Sequence, residues 1–267
     1  MNPAADTLTA AARAVLLTVD AGAKAAAARR LRAAWDCGGL RELGRDTMPE
    51  RPGRPARPEL KLPREMPKRR KGGVRANRIA LLHAIAHIEL NAIDLSVDIA
   101  GRFGPEAGAE FIGDWLSVAD DEARHFLMLQ SRLRDFDAAY GDLPAHDGLW
   151  EAAEATRHDI CARLAVAHTV LEARGLDVTP AMIERLQRQD DHESAAVLTT
   201  IYNEEIGHVA LGVRWFSHFA ELRGHDPEVH WREVVGSNFR GRLKRPFNHA
   251  ARDAAGLTPQ MYEPLAD

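Results

Sequence analysis

Apolar positions recur at three- and four-residue steps along most of this chain, with few β-branched runs and no sustained alternation. That period predicts helices rather than strands. Leu8, Ala12, Val15 and Leu16, then Ala27, Leu31 and Ala34, mark two short helices within residues 5–36. The pattern breaks over 37–74, which holds Cys37-Gly38-Gly39, prolines from Pro49 to Pro67, and the basic run Lys68-Arg69-Arg70-Lys71 before Gly72-Gly73. Proline removes a backbone donor and blocks regular helix, so this stretch reads as an extended linker or wrap.

Four long helical patterns follow: A over 76–101, B over 106–135, C over 149–174 and D over 191–222. Gly101 and Gly175 are placed as helix ends, and Pro105 as a first-turn residue of helix B. Thr179-Pro180 is expected to open a short helix over 180–189, and the tail 224–267 to hold one more helix near 229–243. Helices A and B are joined so tightly that they must be antiparallel neighbours. The link from Asp137 to Leu149 is about 13 residues and reaches on the order of 43 Å when extended, close to the ~42 Å length of a 28-residue helix. The expectation is an all-α chain: a ferritin-like four-helix bundle over 75–223 with one long crossover. N-terminal helices (1–36) pack on the bundle, a Pro/Arg-rich linker spans 37–74, and a C-terminal extension covers 224–267.

Two Glu-x-x-His motifs lie on these helices, Glu122-Ala-Arg-His125 on B and Glu205-Ile-Gly-His208 on D. The spacing places each pair on one helix face. Each pair interrupts an apolar seam: Phe111, Trp115, Val118, Glu122, His125, Leu129 on B, and Val197, Ile201, Glu205, His208, Gly212, Trp215 on D. Helix A carries Glu89 on the seam Leu82, Ala86, Glu89, Ile93, and helix C carries Glu172 on the seam Cys161, Ala165, His168, Glu172. Glu89 precedes Glu122 by 33 residues, and Glu172 precedes Glu205 by 33. Two helical hairpins thus repeat one layout. Buried carboxylates need compensating charge, and two divalent cations would neutralise four. Carboxylate with imidazole suits iron or manganese better than a thiolate-seeking metal. The expected ligands are Glu89, Glu122, His125, Glu172, Glu205 and His208.

Asp121 and Glu204, each next to a proposed ligand, are candidates to accept the outer N–H of a metal-bound imidazole. Tyr202 and His168 are candidates to line the pocket. His83 and His87 are four apart on helix A, but His87 points about 160° from Glu89 at ~100° per residue, so both read as packing or hydrogen-bonding residues.

Charge adds little: the formal net charge is −4, which gives no global field toward nucleic acid or membrane. Cys37 and Cys161 form no metal-binding spacing and suggest a reducing compartment. No uninterrupted apolar run near ~20 residues and no leader pattern are read at this stage, so a cytoplasmic chain is expected.

The runs His83-Ala-Ile-Ala-His87-Ile-Glu89, Asp120-Asp121-Glu122-Ala-Arg-His125, Leu171-Glu172-Ala-Arg-Gly-Leu-Asp177 and Glu205-Ile-Gly-His208-Val-Ala-Leu-Gly-Val-Arg-Trp215-Phe216 resemble a bacterial family catalogued as ferritin-like domain of unknown function 455. At motif level they are also similar to the tRNA hydroxylase acting on modified adenosine and to demethoxyubiquinone hydroxylase, members of the di-iron carboxylate superfamily. The resemblance implies two iron ions, with manganese or a mixed Mn/Fe pair as alternatives. It also implies O₂ activation, and the expected activity is that of an O₂-dependent oxidoreductase or hydroxylase acting on a small organic substrate with an electron donor. The N-terminal helices, proline-rich wrap and C-terminal tail would complicate shell assembly and suggest a monomer or homodimer. A non-catalytic ferroxidase or peroxide scavenger is the alternative. A tRNA hydroxylase using the basic run is a further alternative, which the net negative charge opposes.

Overall fold

The computed structural model describes residues 7–40, 42–66, 74–240 and 242–267; the basic run 68–71 lies outside them. Among the described residues all regular structure is helical, and β contacts are limited to isolated bridges. The chain divides into two compact units, Met1–Trp150 and Glu151–Asp267.

In the first unit α1 (Leu8–Leu17) and α2 (Ala21–Asp36) begin on side-chain caps. Thr7 accepts from the Ala10 N–H, and Asp20 accepts from the Ala23 N–H at 2.7 Å, satisfying donors that a first turn leaves open. The helix α3 (Val74–Ala107) pairs with α4 (Ala109–Arg134) along their lengths; α1 packs on α3 and α2 on α4. Gly108 alone joins α3 to α4, at φ +101°, a conformation open to glycine and strained for other residues.

The expected stop at Gly101 is therefore wrong, because α3 continues to Ala107 with Pro105 inside its last turn. Gly101 serves close approach instead. A Cβ there would sit 2.6 Å from Met48 Sδ and 3.0 Å from Ala12 Cβ. By length and composition α3 could cross a membrane, yet 67% of its most apolar window is buried inside the protein, as in a core helix.

Despite that burial α3 carries Glu89, Asp94 and Asp98 in the interior. Asp98 bonds Arg102 one turn on, at 2.7 Å. Asp94, fully buried, accepts from Lys24 Nζ at 2.6 Å and ion-pairs with Arg54 at 2.5 Å. Lys24 also donates to the carbonyls of Leu16 and Gly53, and Arg54 to Asn91 Oδ1. Burial pulls the Lys24 pKa down, while Asp94 opposes the shift. These bonds tie α1, α2 and the proline-rich segment to α3.

His83 and His87 hold the crossover from α4. His83 Nε2 accepts from the Gly141 N–H at 2.9 Å. His87 Nδ1 lies 2.8 Å from Tyr140 Oη, and its Nε2 lies 3.1 Å from the His146 carbonyl. The carbonyl can only accept, so Nε2 carries the proton and Nδ1 accepts from the phenol. Burial and the nearby Arg54 charge pull His87 down to about 4; burial also lowers His83.

In the second unit α6 (Ile160–Ala165) starts on Asp159, passes through a π-helical stretch (Val166–Leu171) and continues as α7 (Glu172–Gln187). This long helix pairs with α8 (His192–Leu222); α9 (Pro227–Asn238) packs on α6 and α8, α10 (His249–Ala254) on α7 and α8, and α11 (Pro259–Tyr262) on α9. The expected continuous helix C over 149–174 is instead α5 (Gly148–Ala155), a break, and then the run from Ile160. Nor does the chain stop at Gly175 or restart at Pro180. Pro180 has no N–H for the Leu176 carbonyl, and the Asn248 amide supplies one at 3.1 Å. The neighbouring Asp177 accepts twice from Arg252, at 2.9 and 2.7 Å. The tail thus completes a helix that proline would otherwise interrupt.

Two predictions follow for stability. Replacing Asp94 with Ala leaves Lys24 and Arg54 without their buried counter-charge and should cost about 3–5 kcal/mol, whereas E184A at the exposed Glu184–Arg188 pair should cost less than ~1 kcal/mol; urea unfolding distinguishes them. The His87 pKa is lower folded than unfolded, so its contribution is full above about pH 6.5 and is lost as pH falls toward about 4. That is a slope of about 1.4 kcal/mol per pH unit and about 3 kcal/mol in all. H87Q should flatten this part of the unfolding free energy measured between pH 7 and 4; an unchanged slope would contradict the assignment.

Candidate metal centre

Every residue of the α4 seam (Phe111, Trp115, Val118, Glu122, His125 and Leu129) is buried, as are Leu82, Ala86, Glu89 and Ile93 of α3. The amphipathic period explains how carboxylates come to lie in a hydrophobic interior. Glu89 and Glu122 occupy seam positions, so packing the seam buries them whatever their charge. Glu89 is 3% exposed, Glu122 1% and His125 0%. One ligand atom from each lies within 4.8 Å of the others. His125 Nδ1 is 3.0 Å from Glu89 Oε2 and 3.4 Å from Glu122 Oε2. Burial alone would lower the His125 pKa, but hydrogen bonds to Glu122 and Glu89, with their charges, push it up to about 11. The imidazolium proton is the positive charge that makes two buried carboxylates tolerable.

The second unit repeats the donor types in a less enclosed setting. On α8, His208 is buried and its Nδ1 lies 3.5 Å from Glu205 Oε1. At the start of α7, Glu172 Oε1 lies 3.0 Å from Nδ1 of the fully buried His168. The Glu172 and Glu205 side chains are 10% and 13% exposed, so they are slightly more open than their counterparts in the first unit.

Asp121 is partly exposed and ion-pairs with Arg124 on its own helix. Glu204 is partly exposed on α8. Tyr202 Oη accepts from the Asn248 amide at 2.9 Å, which links it to the tail. Sequence reading did not anticipate the π-helical stretch or the tight contact opposite it: a Cβ on Gly212 would lie 2.4 Å from the His168 carbonyl oxygen. The Glu-x-x-His spacing marked α8, but no period marks an inserted residue on its partner.

The donor set in each unit is oxygen and nitrogen without thiolate; the cysteines are Cys37, which is exposed, and Cys161, buried on α6. A buried Glu–His group of this kind can hold a metal ion, and its chemistry fits a borderline or hard divalent cation.

The chain is 41% identical over 210 residues to an uncharacterized protein of Haemophilus influenzae, covering 76% of this chain and 73% of that protein. No solved structure matches it. Residues 17–263 match the family described as a protein of unknown function, DUF455. By that match, which takes in both helical hairpins and all six Glu and His positions, the chain belongs to the DUF455 family.

Proposed function

We propose that this protein is a dinuclear metal-carboxylate oxidoreductase of ferritin-like architecture. In this reading it uses two iron ions to oxidise a small organic substrate with O₂. One observation carries the proposal: Glu89, Glu122 and His125 converge in the interior, with one ligand atom of each within 4.8 Å of the others. The second hairpin presents Glu172, Glu205 and His208 in the same order and spacing.

Glu89, Glu122 and His125 would hold one ion, and Glu172, Glu205 and His208 the other. Iron so bound supplies one-electron chemistry and O₂ reduction, which side chains alone do not. The protein's own residues do the rest. The carboxylates fix charge and orientation. His125, metal-free, holds a proton between Glu89 and Glu122 that ligation would release. The apolar seams of α3 and α4 keep water from the centre. The manganese and mixed-metal alternatives use the same donors.

Metal analysis tests the centre directly. After anaerobic loading with Fe(II) and desalting, the protein should retain about two ions per chain, and E122A or E205A fewer than about one, since each removes a ligand of an open site. Unchanged occupancy in both variants would overturn the ligand assignment. Exposed to air, the Fe(II)-loaded protein should consume O₂ faster than the same iron in buffer, and E122A should not. Equal consumption would remove the oxidoreductase reading while leaving the metal site intact.

A further inference from the structure

The two hairpins repeat one layout of Glu and His positions, but the second adds a further histidine beside it. Glu172, Glu205 and His208 each lie 83 residues after Glu89, Glu122 and His125. At the same offset Ile85 is replaced by His168, Ala86 by Thr169, and Leu129 by Gly212. His168 and Thr169 lie in the π-helical stretch Val166–Leu171 and Gly212 packs against it from α8, whereas α3 is regular α-helix across the corresponding residues. A π turn is a rare insertion into a helix and concentrates at functional sites.

Packing holds this turn in place. The His168 carbonyl fits against α8 because residue 212 has no Cβ; one there would approach to 2.4 Å of the oxygen and 3.0 Å of Thr169 Cγ2. Thr169 Oγ1 donates to the Ala165 carbonyl at 2.5 Å and accepts from Trp231 Nε1 at 3.0 Å. Thr169, Trp231 and His168 are all buried. The outcome is geometric. The His168 imidazole, fully enclosed, engages Glu172 Oε1 at 3.0 Å, where Ile85 offers Glu89 no polar atom.

Resting on the metal-centre reading above, we infer that His168 is a positioning residue for the second ion, aimed by the π turn so that its Nδ1–H engages Glu172 Oε1 and fixes the orientation of that carboxylate. The two metal positions are therefore unequal. The first has carboxylates bridged by their own histidine; the second has a carboxylate pre-oriented by an additional imidazole. Outer partners of this kind change metal affinity by about 10–100-fold.

Cobalt(II) titration of the full chain, followed by calorimetry and by the visible absorption of bound cobalt, tests this. Wild type should bind two ions in two resolvable steps. H168L should weaken one step about 10-fold or more and change the cobalt spectrum of that step alone. H168Q, whose amide can donate to Glu172, should recover most of it. G212A, which displaces the His168 carbonyl, should resemble H168L and serves if that variant does not fold. Two unchanged steps in H168L and G212A would overturn the role of His168 while the dinuclear centre stands. So would equal weakening of both steps in proportion to a lowered Tm, the mark of a purely structural residue. Fewer than two ions on wild type would remove the centre itself, and this inference with it.

Discussion

An ionised carboxylate removed from water must find positive charge nearby, and much of this architecture answers that requirement. Burying a carboxylate without a partner costs several kcal/mol or forces protonation. In α3 the demand arises repeatedly on one helix: Asp94 meets Lys24 and Arg54, Asp98 meets Arg102, and Glu89 meets His125. In the second unit Asp177 meets Arg252, whose guanidinium also lies over the Phe247 and Tyr262 rings. The Asp94 and Asp177 clusters hold chain segments together and are complete with the protein's own cations. The group around Glu89 and Glu122 differs in kind, because its positive charge is a proton on a residue that is itself a metal ligand type.

The helices and the burial of their seam residues were legible in the sequence for the same reason. Seams with a three-to-four-residue step specify which side chains face inward, and Glu89, Glu122 and His125 stand on those seams and are buried. The helix ends were less legible. Gly101 and Gly175 look like terminators, but glycine has two uses, and Gly101 is present for the approach of Met48 and Ala12 rather than for a left-handed cap. Pro180 looked like a beginning because the partner for the Leu176 carbonyl, Asn248, lies about seventy residues away. Nothing local records such long-range substitutions. The pairing of Lys24 with Asp94, 70 residues apart, is likewise a tertiary fact.

His83 and His87 illustrate how a motif separates from its first suggestion. A two-histidine spacing on a helix invites a metal reading, yet the residues lie on the face that receives the crossover, and their nitrogens are engaged by Gly141, Tyr140 and His146. They must stay neutral to do this, as burial ensures. His125 lies at the other extreme, kept protonated by the acids it faces. Three histidines within one unit are thus set to opposite states by their surroundings, without any difference in residue chemistry.

The junction at Gly108 carries a last consequence. With a single residue between α3 and α4, the angular phase of one helix against the other is fixed by covalent chain and has no slack to absorb an error. Each residue added to a helix turns everything beyond it by about 100°. A one-residue insertion before Phe111 would therefore rotate Glu122 and His125 off the face that meets Glu89, however well every ligand itself were retained. The length of this turn is as much a determinant of the centre as the identity of its donors.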